Sequence, residues 1–483
     1  MKLNMLLKGI RYKGYIVKNH KVNSLKTSSK EILYNDIFFA IKGAYNDGNE
    51  YISEAIKKGA TTIISEVKAT KKNKDINYII VEEITTVLAY MAKVFYKNLT
   101  KKYTMIAVTG TNGKTTTTSI LYDYFKCKNR KTILIGTNGI KFFDEEIKTN
   151  NTTPDILKIY NTLEYGIKKG YKTCVMEVSS IGIRENRCKF FNFDIVLFTN
   201  LSHDHLDYHE NITDYAFSKG LLLWKIYGRN TTIIMNKDDN CYKFYLRNLE
   251  NKHLSFGNND ADIRLEKYYT SISHSLFNVD VLGKEYFFKT NLVGIFNIYN
   301  LLAVISILFT MNYDINDFKK FLEAYKLANG RMEYLRYKEK NIFIDFAHTP
   351  DGFEKVLAFL AQNKKNKLNV VFGCGGNRDK SKRKLMGSIA AKYADMIYLT
   401  NDNPRDEDEK SIIEDILLGI NDHHKCKVIL DRKKAVFGAI KNSDYDDIIA
   451  ILGKGNENYQ EIKGIKYRYN DKDCLNQLIN DEN

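Results

Sequence analysis

Lys114 and Thr115 close a short loop, Gly110-Thr111-Asn112-Gly113-Lys114-Thr115, whose residue types suit the handling of phosphate. The apolar run Met105 to Val108 precedes it and reads as a buried strand. Ser119, Ile120, Leu121, Tyr124 and Phe125 follow it and cluster on one side of a helix. Glycines between a strand and a helix let backbone N–H groups approach phosphate oxygens, and the helix N-terminus adds positive potential. Lys114 can reach the β- and γ-phosphates of a nucleotide, Thr115 can ligate Mg²⁺, and Thr116 carries the loop into the helix. Only Thr111 and Asn112 separate the two glycines, a shorter spacing than the usual G-x-x-x-x-G.

Further polar groups stand where strands are expected to end, which is where α/β sheets bind ligands. Glu177, in Met176-Glu-Val-Ser-Ser180, is a carboxylate downstream of the phosphate loop. It suits Mg²⁺, which takes few carboxylates plus phosphate oxygens; an ordinary loop acid is the alternative. The run His203-Asp204-His205-Leu-Asp207-Tyr-His209 suits metal or phosphate work. Zinc is one reading, but no cysteine or spaced histidine set completes a closed site. Arg331, in Gly330-Arg-Met-Glu333, falls where two regions of the chain meet, ahead of Asp345-Phe-Ala-His348. An arginine at a hinge can reach a γ-phosphate once domains close; a structural ion pair is the alternative. Arg378, then Asp402-Asn403-Pro-Arg405, then Gly453-Lys-Gly-Asn-Glu457 follow successive candidate strands. Arginine for carboxylate and glutamate for ammonium is a set that can read a zwitterion, with ordinary turns as the alternative.

The elements that must position these groups form an α/β pattern. Residues 1–85 mix short strands and helices without a phosphate loop. Residues from about 86 to 333 start with a helix, roughly Ile84 to Tyr96, enter the loop, and then alternate strands with helices; Lys131–Ile135, Thr173–Glu177, Ile195–Thr199 and Thr232–Met235 are candidate strands. Residues 334–483 give a second series, Asn341–Phe346, Asn369–Phe372, Met396–Thr400, Val428–Leu430 and Ile448–Leu452, with Rossmann-like spacing but no Rossmann glycine fingerprint. Three α/β domains are expected: an N-terminal one (1–85), a central P-loop ATPase-like one with a mostly parallel sheet (86–333), and a mobile C-terminal Rossmann-like one (334–483).

Composition excludes several classes. A chain of 483 residues with 44% hydrophobic content can bury several full cores. No apolar run reaches membrane-span length, and the apolar stretch within Met1 to Lys8 is too short for a signal peptide. The seven cysteines form no C-x-x-C pair, which points to reduced thiols in a cytoplasm. Net charge is +16, but the lysines are spread along the chain and interleaved with acids. Neither nucleic acid binding nor membrane insertion is therefore expected, and a polyanionic small molecule suits part of the charge.

Taken together, the motifs resemble those of the Mur ligase family of ATP-dependent amide-bond-forming enzymes. Thr109-Gly-Thr-Asn-Gly-Lys-Thr-Thr, Glu177-Val-Ser-Ser, Asn200-Leu-Ser-x-Asp-His-Leu-Asp207, Gly294-x-Phe-Asn297-x-x-Asn300, Gly330-Arg-Met-Glu, Asp345-x-Ala-His-Thr-Pro-Asp351 and Asp402-Asn-Pro-Arg405 occur in family order over nearly the whole chain. Within the family the chain looks most like the MurE type, which adds the third residue to the peptidoglycan stem peptide. The resemblance implies that ATP phosphorylates the D-glutamate carboxylate of UDP-N-acetylmuramoyl-L-Ala-D-Glu, and that the amine of a diamino acid attacks the acyl phosphate. It assigns Gly110 to Thr116, with Lys114, to the ATP phosphates, Asn297 and Asn300 to the adenine side, and Arg331, Asp345 and His348 to the nucleotide's surroundings. It implies two Mg²⁺ ions, one served by Thr115 and Glu177, the other by Glu177 and His205. Lys219, in Tyr215-Ala-Phe-Ser-Lys, matches a lysine carried as a CO₂-derived carbamate, whose oxygens suit Mg²⁺ where an ammonium does not. Ser29, Asp47 and Gly48 match the UDP side. Asn151, Thr152, Thr153, Ser179, Glu185 and Arg187 match positions that hold the muramoyl peptide beside Lys219. Arg378, Asp402, Asn403, Arg405, Gly453 and Glu457 match the site for meso-diaminopimelate, whose distal carboxylate the arginine of D-N-P-R binds. A cytoplasmic monomer acting on small molecules is expected.

The chain departs from the family pattern in several places. D-S-R reads Ser28-Ser29-Lys30, S-S-H reads Ser179-Ser180-Ile181, a usual glutamine reads Glu185, and G-K-G-H-E reads Gly453-Lys-Gly-Asn456-Glu457. These positions bear on muramoyl-peptide recognition and acceptor choice. The alternative is therefore a paralogue that ligates another amino acid, such as L-lysine, or acts on another carboxylate substrate in a specialised pathway.

Overall fold

A computed structural model describes residues 1–483 except 44–45, 69–72, 225–229, 248, 250, 327–329 and 482–483. The N-terminal sheet pairs Leu25–Lys26, Ile37–Phe39, Thr62–Ser65 and Asn77–Ile80 in parallel, with Lys13–Tyr15 antiparallel at the edge. Ile37–Phe39 and Thr62–Ser65 are buried throughout, as inner strands covered on both faces must be.

The central sheet places His253–Gly257, Thr232–Asn236, Ile195–Phe198, Thr104–Thr109, Thr173–Glu177 and Thr132–Gly136 side by side, all parallel. The four strands nearest the phosphate loop are almost wholly buried, which explains their continuous apolar sequence. Helices Lys114–Cys127 and Ile295–Thr310 cover one face through Ile120, Leu121, Phe125, Leu301 and Leu302. Helices Ile84–Phe95 and Ile156–Lys168 cover the other through Leu88, Met91, Ile159 and Leu163. Register aligns Glu177 with Val108, and Phe198 with Thr109. The chain segments leaving these three strands therefore emerge together at one edge.

An antiparallel ribbon of Ile263–Thr270, Ser275–Val281 and Lys284–Thr290 extends this sheet, an element absent from the sequence-based expectation. Its middle strand alternates buried and half-buried residues, so no continuous apolar run announces it.

The C-terminal sheet has the order Glu333–Tyr337, Lys340–Asp345, Ile448–Leu452, Leu368–Phe372, Met396–Leu399, Cys426–Val428, parallel except for the first strand. The last strand lies two residues ahead of the apolar run Val428–Leu430, because pairing with Ile397–Leu399 sets its limits. Among the described residues no helix is long and apolar enough to cross a membrane.

Candidate active site

The phosphate loop follows Thr104–Thr109 with glycines at the two points of closest approach. Gly110 (φ +145) and Gly113 (φ +86) would bring a Cβ to 1.9 Å from Thr199 Oγ1 and 2.3 Å from Asn300 Oδ1. Glycine is required at both positions. Lys114 opens the following helix, and its Nζ donates to the carbonyls of Gly110 and Thr111, both at 2.8 Å. The Thr115 hydroxyl donates to Glu177 Oε2 at 2.9 Å. Glu177 also accepts from the Thr137 amide at 3.1 Å and its hydroxyl at 3.0 Å. Lys219 projects from helix Ile212–Trp224 and donates to Gly110 O at 2.9 Å, with its Nζ 4.4 Å from the Tyr215 ring centre. Burial, reinforced by the Lys114 charge, holds the Lys219 amine well below the ordinary lysine range.

A cavity of about 330 Å³ opens beside the loop, between Asn112, Gly113 and Thr116 on one side and Arg331, Asp345 and His348 on the other. Asn297 and Asn300, on helix Ile295–Thr310, form part of its wall and are joined at 3.2 Å. The Arg331 guanidinium lies 4.5 Å from the centre of the Phe346 ring. Asp345 accepts the amides of Met332 and Ala347, both at 2.7 Å. Burial raises the Asp345 carboxyl although Arg331 opposes it. Burial, with the Lys382 charge, lowers His348 to about 4, so its ring is neutral near neutrality.

A second cavity, of about 340 Å³, lies between the central and C-terminal units. Asn151, Thr152, Ser179, Arg187 and His205 line its central side; Arg378, Asp402, Asn403, Arg405, Gly453 and Glu457 line the other. Phe346 and His348 border both cavities. Burial pushes the Asp204 carboxyl up, but the charges of His205, His348 and Lys382 outweigh it and hold it at about 2. Arg405 Nη1 donates to Gly376 O at 2.7 Å, and its Nε lies 3.3 Å from Glu461 Oε2.

Other expected site residues lie elsewhere. Ser29 donates to Glu54 at 2.8 Å, and Asp47 caps the turn Gly48–Tyr51; none of Ser29, Asp47 and Gly48 lines either cavity. Glu185 pairs with Arg187 Nε at 2.9 Å, Arg187 Nη1 donates to Thr153 O at 2.7 Å, and the Thr153 hydroxyl donates to Glu177 O at 3.0 Å. Glu185 and Thr153 thus buttress the second cavity from behind. Among the described residues no three His, Cys, Asp or Glu side chains are grouped to hold a metal by themselves. The donors present beside the loop are a carboxylate, a hydroxyl and a desolvated lysine. That chemistry fits Mg²⁺ completed by phosphate oxygens.

Sequence reasoning missed Thr137, although it directly follows strand Thr132–Gly136 and the strand-end rule applied elsewhere would have flagged it. It also missed three contacts between the central and C-terminal units. His203 meets Asp379 at 2.9 Å, Asn112 donates to Asp351 at 2.9 Å, and Asn456 donates to Asn138 at 3.2 Å.

Comparison with known proteins agrees with this architecture. Family models described as the Mur ligase middle domain and the Mur ligase, glutamate ligase domain match residues 108–308 and 330–455. The "UDP-N-acetylmuramoyl-L-alanyl-D-glutamate--2,6-diaminopimelate ligase" of Aquifex aeolicus is 38% identical, over 95% of this chain and 94% of its own. The protein of that name from Caldanaerobacter subterraneus is 34% identical over 99% of both chains. A solved structure described by the same name superposes with a TM-score of 0.68 at 28% identity, over 96% of this chain and 98% of that one. A MurF structure from Acinetobacter baumannii, 15% identical with a TM-score of 0.68 over 99% and 98% of the chains, shares the fold. Fold, loop and relatives define an ATP-dependent ligase. The chain belongs to the Mur ligase family.

Proposed function

We propose that this chain joins meso-2,6-diaminopimelate to UDP-N-acetylmuramoyl-L-Ala-D-Glu, with conversion of ATP to ADP and phosphate, in peptidoglycan synthesis. The observation that carries this reading is the second cavity, which sets Ser179, Arg187 and His205 opposite Arg378, Asn403, Arg405 and Glu457. A carboxylate oxygen of the D-glutamate attacks the γ-phosphorus of ATP, and the bond to ADP breaks. The acceptor's amine nitrogen then attacks the acyl carbon, the bond to phosphate breaks, and the nitrogen loses a proton. The chain acts through position and charge.

The loop amides and Lys114 hold the phosphates in the first cavity, with Asn297 and Asn300 beside the base. Arg331 faces the same cavity and stabilises charge on the transferring phosphoryl group. Bound Mg²⁺ would offset phosphate charge, with Thr115 and Glu177 holding one ion and Glu177, His205 and a carbamate on Lys219 holding a second. Only a neutral amine attacks CO₂, and burial with the Lys114 charge favours that form of Lys219. Phe346 and His348, at the border of the two cavities, keep water from the acyl phosphate. Ser29, Asp47 and Gly48 serve the uridine end. Arg405 takes the distal carboxylate of the acceptor, and Glu457 and Asp402 its ammonium. L-Lysine lacks that carboxylate and would leave Arg405 only its protein partners, Gly376 O and Glu461. The seven free thiols and the use of ATP suit a cytoplasmic enzyme.

Purified chain given ATP, Mg²⁺ and the UDP-dipeptide should release phosphate on addition of diaminopimelate. Release with L-lysine but not with diaminopimelate would reassign the acceptor. No release with any diamino acid would overturn the reading.

A further inference from the structure

Lys454 lies wholly buried behind the acceptor end of the second cavity and does not line it. Its Nζ donates to Asn403 Oδ1 at 3.0 Å and to Glu457 Oε2 at 2.8 Å. A buried ammonium is costly unless it is fully paired, so packing alone does not account for a lysine here.

The pairing has a directional consequence. Asn403 Oδ1 also accepts the Glu461 backbone N–H at 2.9 Å, so both of its lone pairs meet protein donors. Turning the amide over would set its NH₂ group against an ammonium and an N–H. The nitrogen must therefore point the other way. One of its hydrogens goes to Glu457 Oε2 at 2.9 Å, and the second remains for the cavity that Asn403 lines. Glu457 Oε2 thus receives two protein donors, while Oε1 receives none among the described residues. The result is a donor and an acceptor side by side, the complement of a carbon bearing both a carboxylate and an ammonium.

We propose that Lys454 is a positioning residue for acceptor specificity: it locks Asn403 with its N–H toward the acceptor's distal carboxylate and leaves one Glu457 oxygen for the distal ammonium. This rests on the ligase reading of the pocket.

Steady-state kinetics of Lys454→Met test it. The KM for diaminopimelate should rise about 10- to 100-fold, the range of one lost hydrogen bond to a charged group. The KM values for ATP and the UDP-dipeptide, and kcat at saturation, should stay within about twofold. In an Asn403→Ala background the Lys454→Met change should add little, because the two act as a unit. An additive cycle, or an equal rise in all three KM values, overturns the proposal. Asn403→Asp supplies the answer if Lys454→Met does not fold. It keeps an oxygen toward Lys454 but replaces the cavity-facing N–H with a carboxylate oxygen. It should raise the KM for diaminopimelate and not that for L-lysine offered at high concentration; an equal rise for both overturns the proposal. Unmodified chain that turns over no diaminopimelate overturns the ligase reading and this proposal with it. Turnover combined with an additive cycle overturns this proposal alone.

Discussion

Lys114 and Lys219 aim their ammonium nitrogens at one carbonyl oxygen, that of Gly110, at 2.8 and 2.9 Å. Two positive charges on one acceptor, Lys219 buried and Lys114 partly so, repel each other. Lys114 has a second carbonyl partner and the attraction of Glu177 to help hold its proton, although burial lowers it too. Lys219 lacks both and has only the attraction of Asp204, so burial and the Lys114 charge hold it well below the ordinary lysine range.

The Lys219 amine, its proton weakened by burial and by Lys114, should take up CO₂. In ¹³C-bicarbonate the unmodified chain should show a carbamate signal that Lys219→Ala lacks, and Lys219→Ala should lose about 100-fold or more in kcat. Lys219→Arg should be no better, because a guanidinium stays charged. An active protein with no carbamate signal would remove the assignment.

Glu177→Gln removes the carboxylate charge but not its contacts: the amide oxygen can keep the Thr137 N–H, and the amide NH₂ can donate to the Thr115 and Thr137 hydroxyls, which turn to accept. Thermal unfolding should shift little, and turnover should need more Mg²⁺. An unchanged Mg²⁺ dependence would detach Glu177 from the ion.

Gly113→Ala combines a positive φ with a Cβ driven to 2.3 Å from Asn300 Oδ1. The backbone penalty alone is about 1–2 kcal/mol, and Asn300 must leave the wall of the first cavity. The KM for ATP should rise about tenfold or more, following roughly 1.4 kcal/mol per decade, while the KM for the acceptor holds. Equal changes in both would mean that the loop's shape matters beyond the nucleotide.

Arg432 and Asp471 form a fully buried pair, with contacts of 2.9 and 2.8 Å, that ties helix Asp471–Asp481 to helix Arg432–Lys441, and Arg432 also donates to Leu452 O of the C-terminal sheet at 3.0 Å. Asp471→Ala leaves an unpaired buried guanidinium, a loss of about 3–5 kcal/mol. Chemical denaturation should show the C-terminal unit unfolding earlier. An unchanged midpoint would show that the pair contributes nothing beyond a hydrophobic substitute.

By itself the sequence determined what is local along the chain. The phosphate loop was legible because strand, glycines, lysine and helix follow one another without interruption. Thr173–Glu177 and Ile448–Leu452 were legible because strands buried on both faces must be continuously apolar. The ribbon Ile263–Thr290 was not, because half-exposed strands alternate and mimic loops. Tertiary structure alone decided which groups lose water and which charges they meet. The Asn138–Asn456 contact spans 318 positions in sequence. The letters Tyr215-Ala-Phe-Ser-Lys219 carry no sign that the lysine will be desolvated beside Lys114, nor does Gly453-Lys-Gly-Asn-Glu457 reveal that Lys454 turns inward to orient Asn403. Burial and electrostatic surroundings belong to the folded assembly of distant segments, and they convert a residue type into a chemical role.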